Sequence, residues 1–192
     1  MPADTTQDTE VRGATRTPSH RGEFVVRPVK PEDDPQLSVV IRTVLAEFAC
    51  RPDGCSGYDG ELDGMFAAYS GEGTGYWVVE RSGRVFGGGG FGPLPGGSPD
   101  TCELQKMYFL TEARGLGLGR ELLRRALDSA RAAGYRRCYL ETLKNMDRAR
   151  RLYASFGFRP ISRPEGNTGH SVCDIWYVLD LTAPDDVCGL GL

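Results

Sequence analysis

The sequence predicts a single domain of mixed α/β class, in which helices flank a central sheet. Two observations support this prediction. Short runs rich in aromatic and β-branched residues alternate along the chain with longer segments whose apolar residues recur at helical spacing. A glycine-rich turn at residues 114–120 joins one strand-like run to the longest helical segment. We therefore expect six to seven strands and about four helices.

The predicted elements follow one another as strand, two helices, three strands, helix, strand, helix and two strands. Asp34 and Pro35 offer an N-cap and a first-turn proline for the first helix. Gly134 and Gly157 are typical of the position after a helix C-terminus, here of the third and fourth helices. The predicted strands cover residues 24–29, 76–80, 85–86, 103–109, 135–142, 158–161 and 173–181, and the predicted helices cover 35–48, 62–69, 120–133 and 146–156.

Two glycine-containing segments accompany the second and third strands. Ser82 and Gly83 lie between two strand-like runs, which predicts a hairpin. Four consecutive glycines at positions 87–90 indicate a bulge, a close approach to the backbone or a flexible strand end. The residues alone do not choose among these three.

The two ends of the chain differ in composition from the rest. Residues 1–22 lack apolar periodicity and are rich in Thr, Asp, Arg, Pro and Gly, so we expect a disordered leader. Residues 183–192 are expected to form a loose tail, which leaves 23–182 as one domain. Because no apolar run approaches membrane-spanning length, we expect no membrane insertion.

Charge and cysteine content narrow the class of function. A net charge of -3 argues against a general nucleic-acid binder, because such domains usually carry a strong basic excess. No signal peptide opens the chain, so we expect the six cysteines to be reduced thiols in a cytoplasmic protein. Their spacing matches no zinc site, and we expect no metal.

The glycine-rich turn is the most informative segment of the chain. Glycines at alternate positions let successive backbone N–H groups converge on an anion such as a phosphate at the N-terminus of the next helix. An arginine on each side adds positive charge. The residues of this predicted anion cradle are Arg114, Gly115, Leu116, Gly117, Leu118, Gly119 and Arg120.

Two other phosphate-binding motifs fit less well. A P-loop requires Gly-Lys-Ser/Thr at its end, whereas here the last glycine is followed by Arg120 and Glu121. A dinucleotide fold requires Gly-x-Gly-x-x-Gly directly after a buried parallel strand. The glycines here are spaced Gly-x-Gly-x-Gly instead. Glu141 does lie where a ribose-binding acid would, which is the best argument for a nicotinamide-dependent oxidoreductase.

The sequence resembles the GNAT superfamily of acyl-CoA-dependent N-acyltransferases, whose motif is Arg/Gln-x-x-Gly-x-Gly/Ala. Residues 114–119 match that motif, 107–109 resemble the strand before it, and 145–153 with 156–158 resemble the family's second motif. The resemblance covers residues 24–181. It implies a three-layer fold with a mostly antiparallel sheet splayed at the cofactor site, and acetyl-CoA as co-substrate without a metal.

The resemblance also implies roles in holding acetyl-CoA. Backbone N–H groups from Leu116 to Arg120 would bind the pyrophosphate, assisted by the Arg114 and Arg120 side chains. The backbone of the strand before the cradle would pair with the pantetheine arm, and one N–H there would polarise the thioester carbonyl. Asn145 would bind the pantetheine or cap its helix. The strand residues concerned are Met107, Tyr108 and Phe109.

Two catalytic residues are implied in the same way. Tyr153 matches the tyrosine that protonates the departing thiolate in many relatives. Glu103 is the candidate general base, on the assumption that it shares a strand face with Met107 and Phe109. His170 is a second candidate for that role, since its ordinary pKa lies near neutrality. Direct transfer in a ternary complex is implied, so no cysteine is assigned as a nucleophile.

The acceptor site is expected between the two N-terminal helices and the loop of the last hairpin. Carboxylates there suit a cationic amine, whereas Arg27 or Arg51 would bind an acceptor carboxylate. The residues expected around it are Tyr58, Asp59, Glu61, Glu165, Asn167, Thr168 and His170.

We therefore expect an N-acetyltransferase acting on a primary amine of a small molecule such as an amino acid, a polyamine or an antibiotic-like compound. The alternatives are a protein lysine or N-terminal acetyltransferase and a non-catalytic acyl-CoA sensor. A long loop at 162–172 favours a closed pocket and hence a small acceptor. Many relatives are homodimers, and the sequence leaves the oligomeric state open.

Overall fold

The computed structural model describes residues 23–49 and 60–183. The predicted leader, the predicted tail beyond residue 183, and Arg51, Tyr58 and Asp59 lie outside the described residues. Single 3-10 turns occur at Pro31–Asp33, Gly60–Asp63 and Thr111–Ala113. The strands are β1 (Val25–Pro28), β2 (Gly75–Arg81), β3 (Arg84–Pro93), β4 (Thr101–Phe109), β5 (Arg137–Thr142), β6 (Arg159–Ile161) and β7 (Ile175–Asp180), and the helices are α1 (Asp34–Glu47), α2 (Met65–Ala68), α3 (Leu118–Ala132) and α4 (Asp147–Ser155).

Within the described ranges, seven strands form one sheet in the order β1-β2-β3-β4-β5-β7-β6. The central pair β4 and β5 is parallel, and all the other neighbouring pairs are antiparallel. The predicted class, strand number and mostly antiparallel sheet are confirmed. None of the helices in this part of the chain is long and apolar enough to cross a bilayer.

Helices cover both faces of the sheet and create three layers. On one face, α3 packs Leu123 and Leu127 against strand residues such as Cys102 and Leu140, and α4 adds Tyr153 to the same cluster. On the other face, α1 lies against β3 and β4 and packs with the side chains of β2. The amphipathic period of the helices therefore produces two cores, one on each side of the sheet.

The glycine run at 87–90 lies in β3, where neighbouring groups approach the backbone closely. A Cβ on Gly90 would lie 2.3 Å from the carbonyl oxygen of Gly75, and one on Gly89 would lie 2.8 Å from Leu122. The pairing with β4 is irregular between Gly88 and Gly90. Of the three interpretations, the structure therefore supports the close approach, and the irregularity opposite the glycines has its extra residue on β4.

A bulge at Lys106 changes which residues of β4 share a face. Tyr108 lies opposite Gly88 and Gln105 opposite Gly90, so β4 carries one extra residue. Lys106 itself has a φ of +49°, an uncommon conformation for a residue with a Cβ. The side chain of Tyr108 packs with the α1 cluster, whereas Met107 packs on the α3 side.

The bulge overturns one expectation from the sequence. Glu103 alternates with Cys102 and Leu104, which face α3, so its side chain faces the α1 side of the sheet. Glu103 therefore does not share a face with Met107 and Phe109, which the simple alternation predicted. The extra residue inverts the alternation within a single strand.

β4 and β5 separate along their length. They pair only from Thr101 to Glu103 on β4, although β4 continues to Phe109 and β5 to Thr142. The gap opens towards the N-termini of α3 and α4. The predicted splay is therefore present at the centre of the sheet, next to the cradle.

Two predicted helix caps are wrong. Asp33 is the N-cap residue of α1, while Asp34 is its first residue and accepts the backbone N–H of Phe66 at 2.8 Å. At α4 the N-cap position is Met146, and no side chain caps the helix. The backbone N–H of Met146 donates to the carbonyl oxygen of Leu143 (3.0 Å) and closes a turn before the helix. Asn145 belongs to that turn and does not cap the helix.

Candidate active site

The cradle forms an open row of backbone donors at the N-terminus of α3. Gly115 and Gly117 have φ values of +79° and +81°, and Gly117 is the left-handed N-cap of the helix. Among the described residues, none of the six backbone N–H groups from Gly115 to Arg120 has a hydrogen-bond acceptor. Six unpaired donors at a helix N-terminus are suited to an anion.

The two arginines of the cradle bind protein atoms. Arg114 donates from Nε to the carbonyl oxygen of Phe109 (2.7 Å) and from Nη1 to Glu47 (2.7 Å), and its buried Nη2 has no partner among the described residues. Arg120 donates to Ser155 (3.1 Å) and lies over the ring of Phe156. Arg114 therefore fastens the cradle to β4, and Arg120 links α3 to α4.

The backbone of β4 beyond the bulge offers groups to the gap. Leu110 N–H donates to Phe86 on β3 (2.7 Å), so by alternation the groups of Tyr108 also face β3. The backbone groups of Met107 and Phe109 therefore face the gap. The carbonyl oxygen of Phe109 already accepts a hydrogen bond from Arg114. Met107 therefore remains the strongest of the predicted backbone contacts.

A cavity of about 50 Å³ lies in the gap between β4 and β5. Its lining includes Met107, Glu141, Tyr153 and Cys173, which come from both sides of the sheet. A larger groove of about 930 Å³ runs between α3 and β7 but does not reach Glu141 or Tyr153. Of these two, the smaller cavity is the candidate centre, because its wall includes residues from both faces of the sheet.

Tyr153 reaches this cavity from α4. Burial raises the pKa of its phenol well above the ordinary value, so the hydroxyl keeps its proton at all physiological pH values. Among the described residues its hydroxyl has no hydrogen-bond partner. A protonated and uncommitted hydroxyl at the gap is able to donate to a leaving sulfur.

Two buried carboxylates lie on the other face of the sheet. The side chains of Glu103 and Glu141 are each 4% exposed. Burial raises the pKa of Glu103, although its hydrogen bond from Gln105 (2.8 Å) acts in the opposite direction. His170 lies between the two, with Nδ1 at 3.8 Å from Glu103 and 4.0 Å from Glu141. The structure thus brings together both predicted base candidates.

The loop after β6 is held over these carboxylates by bonds to β5. Glu165 forms a two-pronged pair with Arg137, and its backbone N–H donates to the hydroxyl of Tyr139 (3.2 Å). Thr168 donates to Glu141 (3.1 Å). The backbone N–H of Asn167 donates to the carbonyl oxygen of Pro95, which lies between β3 and β4 (2.6 Å). The loop therefore closes this side of the site.

Other predicted acceptor residues fall in different places. Glu61 lies in the 3-10 turn that packs against α1, and it pairs there with Lys106 at 2.5 Å. Arg27 does not belong to the site, because it lies on edge strand β1 and is bound to Asp33 (2.7 and 2.8 Å). The interpretation of Arg27 as a carboxylate ligand is therefore wrong. Asn145 is exposed beside the cavity, in the turn next to Met146.

The thiols of Cys138 and Cys173 do not suit nucleophilic catalysis. Burial and the nearby Glu141 raise the pKa of Cys173 to about 12, and Cys138 is raised well above its ordinary value by its bond with Cys102 and by burial. A thiol that stays protonated is a poor nucleophile. This supports the predicted absence of an acyl-cysteine step.

Sequence reasoning missed two features of the site. Glu141 was considered only as a ribose-binding acid, yet it lines the cavity. Lys106 carries the bulge, and its side chain is 3% exposed in its pair with Glu61. The parity of Glu141 with Tyr139 on β5 is a signal that could have placed it on the face of Glu103.

Comparison with known proteins identifies the family of the chain. The model of the acetyltransferase (GNAT) family matches residues 43–158. The chain is 44% identical over 158 residues to the uncharacterized N-acetyltransferase YjgM of Escherichia coli K12, covering 82% of this chain and 95% of that protein. It is 33% identical to N-acetyltransferase 8 of Rattus norvegicus over 57% of this chain and 48% of that protein.

Solved structures share the fold. A GNAT acetyltransferase of Staphylococcus aureus Mu50 has a TM-score of 0.72 at 19% identity, covering 83% of this chain and 99% of that one. YncA of Salmonella typhimurium, solved with acetyl-CoA, has a TM-score of 0.65 at 23% identity, covering 86% and 99%. Together with the family match over more than half of the sequence, the cradle and the splayed sheet lead to one conclusion. The chain belongs to the acetyltransferase (GNAT) family and is an acyltransferase.

Proposed function

We propose that this protein transfers the acetyl group of acetyl-CoA directly to a primary amine of a small molecule. The observation that carries the proposal is the cavity in the gap between β4 and β5. It joins Tyr153 on one side of the sheet to the buried carboxylate of Glu141 on the other. Such a passage suits two substrates that meet from opposite faces in a ternary complex.

The residues present fit acetyl-CoA. The six open N–H groups at 115–120 suit the pyrophosphate, and the backbone of Met107 suits the pantetheine arm. Asn145 lies at the edge of the same cavity and would bind the arm with its amide. When bound, acetyl-CoA supplies a thioester carbonyl and a sulfur leaving group. The N–H of Met107 would polarise that carbonyl.

Two side chains move protons in this proposal. Tyr153 would protonate the departing sulfur, because its phenol is protonated and reaches the gap. Glu103 would act as the base that finally holds the proton given up by the acceptor ammonium, since its raised pKa makes it a better proton acceptor than an ordinary exposed glutamate. His170 stands within 4 Å of Glu103 and would assist it.

A small acceptor is favoured over a protein by the closed loop. Glu165 and Thr168 fasten the loop to β5, and Asn167 N–H is bound to Pro95. An extended peptide would have to displace these contacts, whereas a small amine would not. The buried carboxylates favour an acceptor that arrives as a cation.

The test is calorimetric titration of the full chain with acetyl-CoA, with NAD as a negative control. We expect saturable binding of acetyl-CoA only, weakened in Gly117→Ala. Turnover is then measured by release of free thiol with a panel of diamines, aralkylamines and amino acids, and with lysine-containing peptides. Acetylation of peptides alone would contradict the small-molecule proposal, and binding of NAD without acetyl-CoA would contradict all of it.

A further inference from the structure

The candidate base Glu103 does not reach the cavity. The cavity is lined by Glu141 on β5, two residues beyond the partner of Glu103 in the parallel pairing, and Glu103 is not part of its wall. Glu103 is instead enclosed behind Gln105 and His170. An ammonium group in the cavity would therefore meet the carboxylate of Glu141 first.

The carboxylate of Glu141 is oriented by its neighbours. Its Oε1 accepts the hydroxyl protons of Tyr139 (2.6 Å) and Thr168 (3.1 Å). Its Oε2 lies on the side of His170, 4.0 Å from Nδ1. Because Oε1 is held by two hydroxyl donors, Oε2 is the oxygen of Glu141 that lies on the side of the imidazole.

A single nitrogen of His170 faces both carboxylates. Nδ1 lies 3.8 Å from Oε1 of Glu103 and 4.0 Å from Oε2 of Glu141, and the imidazole is 14% exposed. The main chain of His170 is held by its N–H bond to Thr168 (3.2 Å). Nδ1 therefore needs to move by roughly 1 Å towards either carboxylate to reach hydrogen-bond distance.

We propose that Glu141 takes the proton of the acceptor ammonium and that His170 passes it to Glu103. This inference rests on the proposed function, and it assigns Glu141 as a catalytic residue and His170 and Glu103 as a relay behind it. It also explains why a base enclosed behind the cavity wall is connected to the reacting amine.

The proton balance closes. An N–H bond of the ammonium breaks as an O–H bond forms on Glu141. That proton then moves to Nδ1 of His170 and on to Oε1 of Glu103. The free amine attacks the thioester carbonyl and the C–S bond breaks. Tyr153 gives its proton to the sulfur and recovers one from the acylated nitrogen. The proton stored on Glu103 passes to water when the amide leaves.

The charged groups of Lys106 and Asp174, near the relay, already have an ion-pair or hydrogen-bond partner. Lys106 faces Glu103 from β4 and is paired with Glu61. Asp174 lies beside Cys173 and accepts the backbone N–H of Lys144 (2.7 Å). The phenol of Tyr139 and the thiol of Cys173 both stay protonated, because burial raises their pKa values. The mobile proton therefore belongs to Glu103, Glu141 and His170.

The kinetic test uses the panel amine with the highest kcat/KM for the wild-type chain. We expect Glu141→Gln and Glu103→Gln each to lower kcat/KM by about 100-fold or more and to remove the low-pH limb of its profile. His170→Asn should lower kcat with little change in KM. The matched control is Asp174→Asn, which removes a carboxylate from the same region and should leave the profile unchanged.

A second measurement needs no acceptor. The chain has two histidines, so in a His20→Gln background the ring resonances of His170 are identified directly. We expect these resonances to change at two pH values, one of which is lost in Glu103→Gln and altered in Glu141→Gln. A single inflection that neither variant changes would show that the three groups do not share a proton.

The outcomes separate this inference from the proposed function. Wild-type turnover with an unchanged profile in Glu141→Gln would overturn the relay and leave the acetyltransferase proposal standing. Absence of wild-type turnover with every amine would overturn the proposed function and the relay with it. Loss of activity in Glu141→Gln with unaltered His170 resonances would also overturn the relay, because Glu141 would then act alone.

Discussion

Tyr76 donates its hydroxyl proton to the carbonyl oxygen of Lys106 at 2.9 Å, at the bulge of β4. Tyr76 is buried on β2, and Lys106 has the positive φ that the bulge requires. The bond therefore stabilises the bulge, where the alternation of side chains along β4 is inverted. On one side of that point Glu103 faces the α1 side of the sheet, and on the other Met107 faces α3.

Replacement of Tyr76 by Phe should lower both stability and activity. We expect the free energy of unfolding to fall by about 1–2 kcal/mol, because a buried carbonyl loses its donor. Denaturant unfolding measures this change. Tyr135→Phe is the matched control, since Tyr135 donates to the carbonyl of Gly73 (3.0 Å) away from the cavity. Equal losses of kcat/KM in the two variants would contradict a role for the bulge in the site.

Replacement of Tyr153 by Phe should lower kcat by about 100-fold, because the sulfur then leaves without a proton donor. The affinity for acetyl-CoA, measured by calorimetry, should change little. Tyr177→Phe alters a neighbouring buried tyrosine of the same cluster, outside the cavity wall, and should retain activity. A Tyr153 variant with wild-type kcat would show that solvent supplies the proton.

The cradle can be tested with two glycines at opposite ends of one helix. Gly117 and Gly134 have φ values of +81° and +91°, and a Cβ on either meets nothing within 4 Å. Alanine at each position should cost about 1 kcal/mol of stability. Only Gly117→Ala should weaken acetyl-CoA binding, by about 10-fold or more, as measured by calorimetry. Similar weakening in Gly134→Ala would indicate a general effect of helix strain.

Asp33 should make the stability of the fold depend on acidic pH. Its burial alone would raise its pKa, but the bonds from Arg27 and from Lys30 N–H prevail and lower it below the ordinary 3.8. A lowered pKa means that this stabilisation is present above pH 3.8 and is lost as the pH falls through the folded-state pKa. Asp33→Asn should lower the free energy of unfolding at pH 7, by roughly 2–3 kcal/mol, and the difference should shrink in acid. A constant difference across pH would contradict the ion pair.

Glu103 should have the opposite effect on stability. Because burial raises its pKa, the ionised form is less stable in the folded than in the unfolded state. Its contribution is therefore most favourable below the ordinary value of 4.5 and is lost as the pH rises through the folded-state pKa. Glu103→Gln should be more stable than the wild-type chain at pH 8, with a gap that narrows in acid. A less stable variant at pH 8 would show that the bond from Gln105 outweighs the cost of burial.

Local features of the fold followed from the sequence with small errors. Gly134 and Gly157 end their helices with φ values of +91° and +86°, as predicted from their position after an apolar period. The α1 cap was misplaced by one residue, because Asp33 and Asp34 are equally good capping residues and only the contact with Phe66 distinguishes them. Helix caps are local, so neighbouring candidates of the same type are hard to rank.

The candidate site was predicted unevenly. Tyr153 and the cradle could be named as candidates from the sequence because a motif of fixed spacing places them on one loop and one helix. Glu103 was placed on the wrong face because its face depends on the bulge of β4. Glu141 was missed because only the separation of β4 from β5 opens the cavity that it lines. The bulge arises from how β4 pairs with β3, and no residue pattern within β4 indicates it.

The sequence by itself determined the order of the elements, the two apolar helix faces and the open donors of the cradle. Each of these depends on residues within a few positions of one another, where helical period, glycine conformation and capping decide the backbone. Only the tertiary structure decided that one imidazole faces Glu103 and Glu141, and that Tyr153 reaches the same gap. Those neighbours are brought together by strand pairing over long chain separations, which local residue chemistry does not specify.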